Sequence, residues 1–397
     1  KVLGKAGADT TLVIKAHGED DKLITNMPDY KIDKDSLITI NELDDKKQKT
    51  DVSLALNSIK LENGKEEITY SISQVALIQA VIKEHCAPYA IDSQGKCGLP
   101  TKGDSQILGR TVPAYLQVTG IAGKITGGVA FRAKPVEFRL PPLFEVVACA
   151  ANSNPDTCNE LPSYTGEFAK GLGLENSLTF SVDNDPDNQL EISDASGEVI
   201  FDKNSDDEAI TGTHTIQLAD SYKFVFEKEA PKKAELISQK LKLSINIEND
   251  AVLAGEGTAG LAEDAKLRFG YLTVDNTELA VGTNGKMQTR LNYLDEEGKD
   301  KEDKNHPYSI AGNNIKSESI SDKSTLPNGS TIKAITKEIE VSAPTVWRGK
   351  ISIEDAPDWL KPYDEVEKGL VAPSGQLTIT DRKRGHDRVF NRREAVQ

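Results

Sequence analysis

The residues best suited by type and spacing to do chemistry form one acidic run, Asp183-Asn184-Asp185-Pro186-Asp187-Asn188-Gln189-Leu190-Glu191-Ile192-Ser193-Asp194. Asp183, Asp185, Asp187, Glu191 and Asp194 place oxygen ligands at positions 1, 3, 5, 9 and 12 of a twelve-residue loop. Hard oxygen donors at that spacing suit Ca²⁺, with a backbone carbonyl available at position 7. Two features oppose it. Asn188 stands where the sharp turn needs glycine, and residues 189–192 alternate like a strand. An acidic hairpin tip is the plainer account of the same residues. No other cofactor is implied.

Catalytic constellations are absent from the sequence. It carries no GxSxG, HExxH, phosphate-binding loop or dinucleotide fingerprint. Gly255-Glu256-Gly257-Thr258-Ala259-Gly260 has glycines but no lysine, so it reads as a linker or strand-to-strand loop. The histidines, at 17, 85, 214, 306 and 386, are scattered and read as surface or turn residues. The chain is therefore expected not to be an enzyme.

Four cysteines fall in two local pairs, Cys86 with Cys97 and Cys149 with Cys158. Four cysteines allow three connectivities; local pairing, giving two small loops in an oxidising compartment, is the expected one. A zinc site is worse supported, because CxxC spacing and a histidine pair are lacking. Near the C-terminus, Arg382, Lys383, Arg384, Arg392 and Arg393 concentrate positive charge. They form either a docking patch for an acidic partner or polysaccharide, or, more plainly, a solvated hairpin around Gly385-His386-Asp387.

A net charge of −15 excludes nucleic acid as a natural partner, since phosphate binding needs a basic face. Apolar residues still make up 37% of the 397, enough for packed cores rather than disorder. No run approaches the length of a membrane helix, so membrane insertion is not expected. The chain opens on Lys1 without a signal-peptide pattern and is read as a mature fragment whose export signal lay upstream.

The elements that must position these residues read as strands. Residues 10–16, 51–56, 177–182, 189–192, 198–201, 241–247 and 337–341 carry strand patterns, and Asn63-Gly64 and Ser196-Gly197 mark turns. Residues 74–82 fit a helix capped at Ser73 or a buried strand, and the β-rich flanks favour the strand. Leu267 to Val274 is apolar on both faces, the pattern of an interior strand closed by Asp275-Asn276. The charged segment 295–304 reads as a solvated loop. The expected fold is all-β: tandem immunoglobulin-like sandwich modules over 1–118, 119–262 and 263–397, with little helix.

One resemblance adds to this. Leu267-Arg268-Phe269-Gly270-Tyr271-Leu272-Thr273-Val274-Asp275-Asn276 resembles the "RFGRL-x-L-x-N" signature of MshQ-like proteins, exported proteins encoded with the mannose-sensitive haemagglutinin (MSHA) type IV pilus. Leu108 to Val118 is similar to the family's "VGRF-x-PAYF-x-V", with Thr111 in place of the aromatic. Tyr164 to Ala169, Lys223 to Pro231, Pro357-Asp358-Trp359-Leu360 and Arg388 to Glu394 follow in family order, so the resemblance runs from about 106 to 394. The first hundred residues match less specifically. The Asp-rich run that follows the WL pair in the family is replaced here by Lys361-Pro362-Tyr363-Asp364-Glu365-Val366-Glu367, so any calcium site built on that run should be missing.

The resemblance implies a bacterial cell-surface protein working with an MSHA-like pilus as tip or accessory adhesin or as assembly partner. Its partners would be pilus subunits, other surface proteins, or a host or surface glycan. It also implies that Gln397, just beyond the family's closing strand, is the natural end. The alternatives are an exported carbohydrate-binding or carbohydrate-active protein and a structural surface stalk. Trp347 and Trp359 would serve as sugar platforms only if exposed together, and Trp359 is expected in the core.

Overall fold

The computed structural model describes residues 1–15, 17, 22, 30–31, 38–56, 58–59, 65–82, 85–86, 92–96, 100–101, 105–151, 157–169, 178–185, 189–193, 199–201, 213–247 and 253–381. Among them the chain is all-β, built as tandem immunoglobulin-like sandwich modules in which two sheets face each other across an apolar core. The ambiguous 74–82 segment forms a strand, Leu77–Ile82, central in its sheet.

In the first module, Val2–Lys5, Ser105–Val112, Leu77–Ile82, Ile38–Leu43 and Lys49–Leu56 make one sheet. The antiparallel pair Asp9–Lys15 and Lys65–Ser71 lies across from it, and Leu12, Ile38, Ile40, Tyr70, Ile72 and Ile78 fill the space between. Asn63-Gly64 lies outside the described residues.

The middle module faces Tyr115–Ile121, Leu143–Cys149, Thr213–Leu218 and Val199–Phe201 against two smaller sheets. These are Leu178–Asp183 with Lys240–Ile247 and Leu253–Gly260, and Leu190–Ser193 with Lys223–Phe226. Alternate residues Leu241, Leu243, Ile245 and Ile247 meet Phe144, Val146 and Ile216 in one core. The glycine-rich stretch read as a loop is the strand Leu253–Gly260, paired along its length with Lys240–Ile247. Its glycines have a packing reason. A Cβ on Gly257 would lie 2.6 Å from Val118, and one on Gly255 2.8 Å from the Leu116 carbonyl. The edges of the two facing sheets thus approach backbone to backbone, which only residues without side chains permit.

In the C-terminal module, Gly270–Val274, Gly285–Leu294, Glu338–Ser342 and Thr331–Ile335 form one sheet. Thr277–Ala280, Ser374–Thr380, Trp347–Ile353 and Ile315–Ser319 form the other. Leu272, Met287, Leu291, Ile339 and Val341 meet Trp347, Ile351, Leu377 and Ile379 between them.

The changeovers between modules fall near, but not at, 118 and 262. Tyr115–Ile121 runs across 118 and pairs throughout with Leu143–Cys149, so the first changeover lies at Pro113-Ala114. Lys266–Arg268 pairs with Val129–Phe131 and Glu235–Leu236 of the middle module, and the second changeover comes at Phe269. The Leu267-to-Val274 stretch is therefore two strands serving two cores. Leu267 belongs to the middle core, and Leu272 and Val274 to the C-terminal one. The expected interior strand is an edge strand with Thr273 exposed.

Candidate functional site at the joint between the middle and C-terminal modules

Strand phase explains how the joint begins. Phe224 and Phe226 point into the middle core, and at period two the next inward residue is Lys228, just beyond the Lys223–Phe226 strand. Lys228 is 7% exposed. Its Nζ donates to the carbonyls of Gly270 (2.6 Å), Asp358 (2.8 Å), Trp359 (3.0 Å) and Lys361 (2.7 Å), all in the C-terminal module. The Phe269 ring lies below it, 4.6 Å from Nζ to centroid. Removal from water pulls the amine down from 10.5 to about 7, against the nearby Asp358 charge and with a smaller push from Lys361. The carbonyls act in the opposite sense, because they only accept, and an ammonium offers one more N–H than an amine.

Around Lys228 stands an aromatic cluster. Phe131 meets His306 edge-on at 4.6 Å and Trp359 at 5.6 Å, and the His306 and Trp359 rings lie 5.8 Å apart. Gly270 admits the Phe131 ring, since a Cβ there would sit 2.5 Å from it. Lys134 closes the rim. Its Nζ donates to His306 Nε2 at 2.9 Å, pairs with Glu137 at 3.0 Å and lies over the Trp359 ring. Accepting from an ammonium requires Nε2 to be unprotonated, so this arrangement uses neutral His306. Burial, and next the Lys134 charge, hold its pKa below the usual 6.5.

Two arginines complete the polar side. Arg132, 2% exposed, donates to Gln189 Oε1, the Glu227 carbonyl and the Glu235 carboxylate, and burial lowers its pKa against the pull of Glu235. Arg268 pairs with Asp303 Oδ2 at 2.9 Å and stacks 3.9 Å from the Tyr293 centroid. The charged 295–304 segment is thus no free loop. It is a hairpin whose Asp300–Glu302 strand pairs with Gly285–Leu294, while the Asp295 carbonyl accepts from Ala234 across the joint.

The residues singled out from sequence fall elsewhere. Cys149 and Cys158 form a disulfide with Cα atoms 5.1 Å apart. Cys86 lies in the two-residue strand His85–Cys86, and its pairing with Cys97 lies outside the described residues. Asp183 ends the Leu178–Asp183 strand, and its Oδ1 accepts from the Asn184 N–H. Asp185 Oδ2 accepts from Leu190 N–H at 2.8 Å, and Glu191 stands exposed in Leu190–Ser193. These are turn and strand roles; Asp187 and Asp194 lie outside the described residues. Among the described residues no group of three metal-ligating side chains converges. Arg382, Lys383, Arg384, Arg392 and Arg393 lie outside the described residues as well.

Two expectations need correction. Trp347, not Trp359, is the fully buried tryptophan; Trp359 is half-buried because it caps the joint. His214 is not a surface residue: it is 2% exposed with Nε2 donating to the Tyr164 carbonyl, whereas His306 is half-buried in the bend 304–306, its ring in the aromatic cluster. Sequence reading missed Lys228, although it was signalled by a lysine in phase with two inward phenylalanines. Nothing local marks His306 or Arg132.

No protein-family model matches the chain, and no curated protein matches it. Among solved structures the chain is similar to the I9-I11 tandem from titin, at 7% identity and TM-score 0.26 over 95% of each chain. It is similar to human CDH23 EC21-23 at 10% identity and TM-score 0.26, covering 87% of this chain and 89% of that one. Invasin, a bacterial integrin-binding protein, gives 8% identity and TM-score 0.23, covering 94% of this chain and 58% of its own. At these scores the likenesses carry no argument; the fold assignment rests on the sheets themselves. Among the described residues no helix is long and apolar enough to cross a membrane.

Proposed function

We propose that the chain is a non-enzymatic extracellular array of β-sandwich modules that works with an MSHA-like type IV pilus as accessory adhesin or assembly partner. The observation that carries the mechanical part is the joint around Lys228, where one buried ammonium ties the middle module to two separate elements of the next. A flexible string of beads has no use for such a joint; a load-bearing or distance-setting array does. The Cys149–Cys158 disulfide accords with an oxidising compartment. The pilus assignment rests on the ordered series of MshQ-like motifs. The basic residues Arg382, Lys383, Arg384, Arg392 and Arg393 are the proposed docking element, steering an acidic partner.

Cross-linking the full chain on intact cells tests this. Pilus subunits are expected among the products, and reversing those five charges is expected to remove them without unfolding the chain. Equal products from cells lacking the pilus would end the pilus assignment.

A second reading, glycan binding, is favoured by one groove of about 580 Å³ on the middle module. Phe138 and Tyr222 offer aromatic surface there beside Glu137, Arg139 and Asp220. Aromatic faces with charged neighbours suit a sugar. Glycan-array binding abolished by Tyr222→Ala would establish it.

A further inference from the structure

The oxygens around Lys228 Nζ have an unusual composition for a buried charge. Gly270, Asp358, Trp359 and Lys361 each contribute a backbone carbonyl, at 2.6–3.0 Å, and no carboxylate oxygen belongs to the set. Buried salt bridges satisfy an ammonium with an anion; here only dipoles do so. Rings of carbonyl dipoles are the means by which proteins replace the hydration shell of a large monovalent cation. The distances exceed the 2.0–2.1 Å that Mg²⁺ requires and run above most of the roughly 2.3–2.6 Å range of Ca²⁺, which also prefers carboxylates.

The oxygens are held without Lys228. Gly270 opens the Gly270–Val274 strand, and its sheet partner Tyr293 fixes its backbone. Asp358 and Trp359 lie in a 3₁₀ turn, Asp358–Leu360, and Lys361 caps it; the turn is closed by hydrogen bonds from Leu360 N–H to the Pro357 carbonyl and from Lys361 N–H to the Asp358 carbonyl. Leu360, 1% exposed, anchors that turn in the C-terminal core. The cage is thus a property of the C-terminal module, and the cation is brought by the middle one.

We propose that these four carbonyls are a monovalent-cation site of ammonium or potassium size, filled in the native chain by the tethered ammonium of Lys228, so that docking of the two modules is a cation-binding event. The Phe269 ring forms the floor of the site and adds its negative face. Removing the side chain leaves converging dipoles in a space that a free cation of the same size can occupy. An apolar side chain there fills the space and leaves the Gly270, Trp359 and Lys361 carbonyls without the donor that Lys228 supplies.

The test uses the full chain with Lys228→Ala and Lys228→Met, melted at constant ionic strength in ammonium, potassium, sodium or N-methylglucamine chloride. The emission of Trp359, whose ring caps the joint, is followed alongside. In N-methylglucamine, Lys228→Ala is expected to melt roughly 5–15 °C below the native chain, with emission shifted to the red. Ammonium and potassium should restore at least half of that loss with saturating dependence, and sodium less. Lys228→Met should lose a similar amount and recover in none of the salts. Equal melting of Lys228→Ala in all four salts, or rescue of Lys228→Met as well, overturns the proposal. If Lys228→Ala does not fold in N-methylglucamine, refolding yield against potassium concentration decides: a saturating rise supports the site, and a flat response ends it.

Discussion

Between the first and middle modules, Ala6, Val75, Val112, Ala150, Leu161 and Tyr164 belong to the middle module's apolar core. Hydrogen bonds stitch it: Ala151 N–H to the Ala6 carbonyl at 2.7 Å, and Val75 N–H to Ser163 Oγ at 3.0 Å. The disulfide closes the loop that presents Ala150, and burial pushes the Tyr164 phenol up to about 12. Between the middle and C-terminal modules the same task falls to Lys228, Arg268, Lys134 and His306. The first joint is apolar, and its stability comes from area removed from water and from close backbone approach. The second is held by charges that are satisfied only in one geometry. Such groups are costly when misplaced, so the second joint gains specificity of orientation and inherits sensitivity to charge and pH.

The largest effect should come from breaking the first joint at its tightest point. Gly7 has φ +81°, and a Cβ there would meet the Ala151 carbonyl at 2.5 Å. Gly7→Val adds backbone strain to a clash with fixed main chain, and roughly 3–5 kcal/mol should be lost in denaturant titration. Proteolytic nicking should concentrate between the first and middle modules. Next in size is Cys149→Ser. Opening the loop to Cys158 should cost about 2–3 kcal/mol by the chain-entropy relation, reproduced by reductant on the native chain. Trp359 emission should stay unchanged in both cases, because that ring reports the other joint.

On the second joint, Asp303→Asn should cost about 2 kcal/mol, because the single amide oxygen cannot serve both sides and Arg268 loses its charged acceptor at the Oδ2 position. Asp303 Oδ1 also accepts the N–H groups of Asn305 and His306, and the amide oxygen of asparagine can keep those. Trp359 emission should move here, while cleavage at the first joint should not. A shift at both joints would show that the two are coupled and break the comparison.

How far these joints were legible from sequence follows the same division. Sheet-forming stretches with period-two apolar phase, such as 241–247 and 337–341, declared themselves because their burial is one-sided and local. The joints depend on contacts distant in the chain. Lys228 meets residues 42 to 133 positions away, and Lys134 meets His306 across 172. The glycines of 255–260 misled for a related reason. They read as a linker or strand-to-strand loop, whereas they lie in a paired strand and let Tyr115–Ile121 approach. The doubly apolar 267–274 pattern was real, but it recorded two cores in succession instead of two faces of one strand.

The smallest expected effect is a pH dependence confined to the second joint. The groups facing His306 are Lys134, Asp303, Glu137 and Arg268, with Phe131 and Trp359 against its ring. Its folded-state pKa lies below 6.5, chiefly through burial and then through Lys134, so below that pH the unfolded chain binds more protons than the folded one. Stability from neutral His306 is then complete above about pH 6.5 and is lost as pH falls through the folded value. The geometry gives the same sign, since a protonated Nε2 would turn a donor toward the Lys134 ammonium. Trp359 emission should therefore shift as pH falls below about 6.5, and His306→Gln, which retains an acceptor without a proton to gain, should flatten that shift. Lys134→Met should weaken it, by removing the charge that opposes protonation and the donor that needs the lone pair. If the native chain and His306→Gln give the same pH profile, the polar joint owes its acid response to other groups, and the contrast between the joints rests on Lys228 and the Arg268–Asp303 pair.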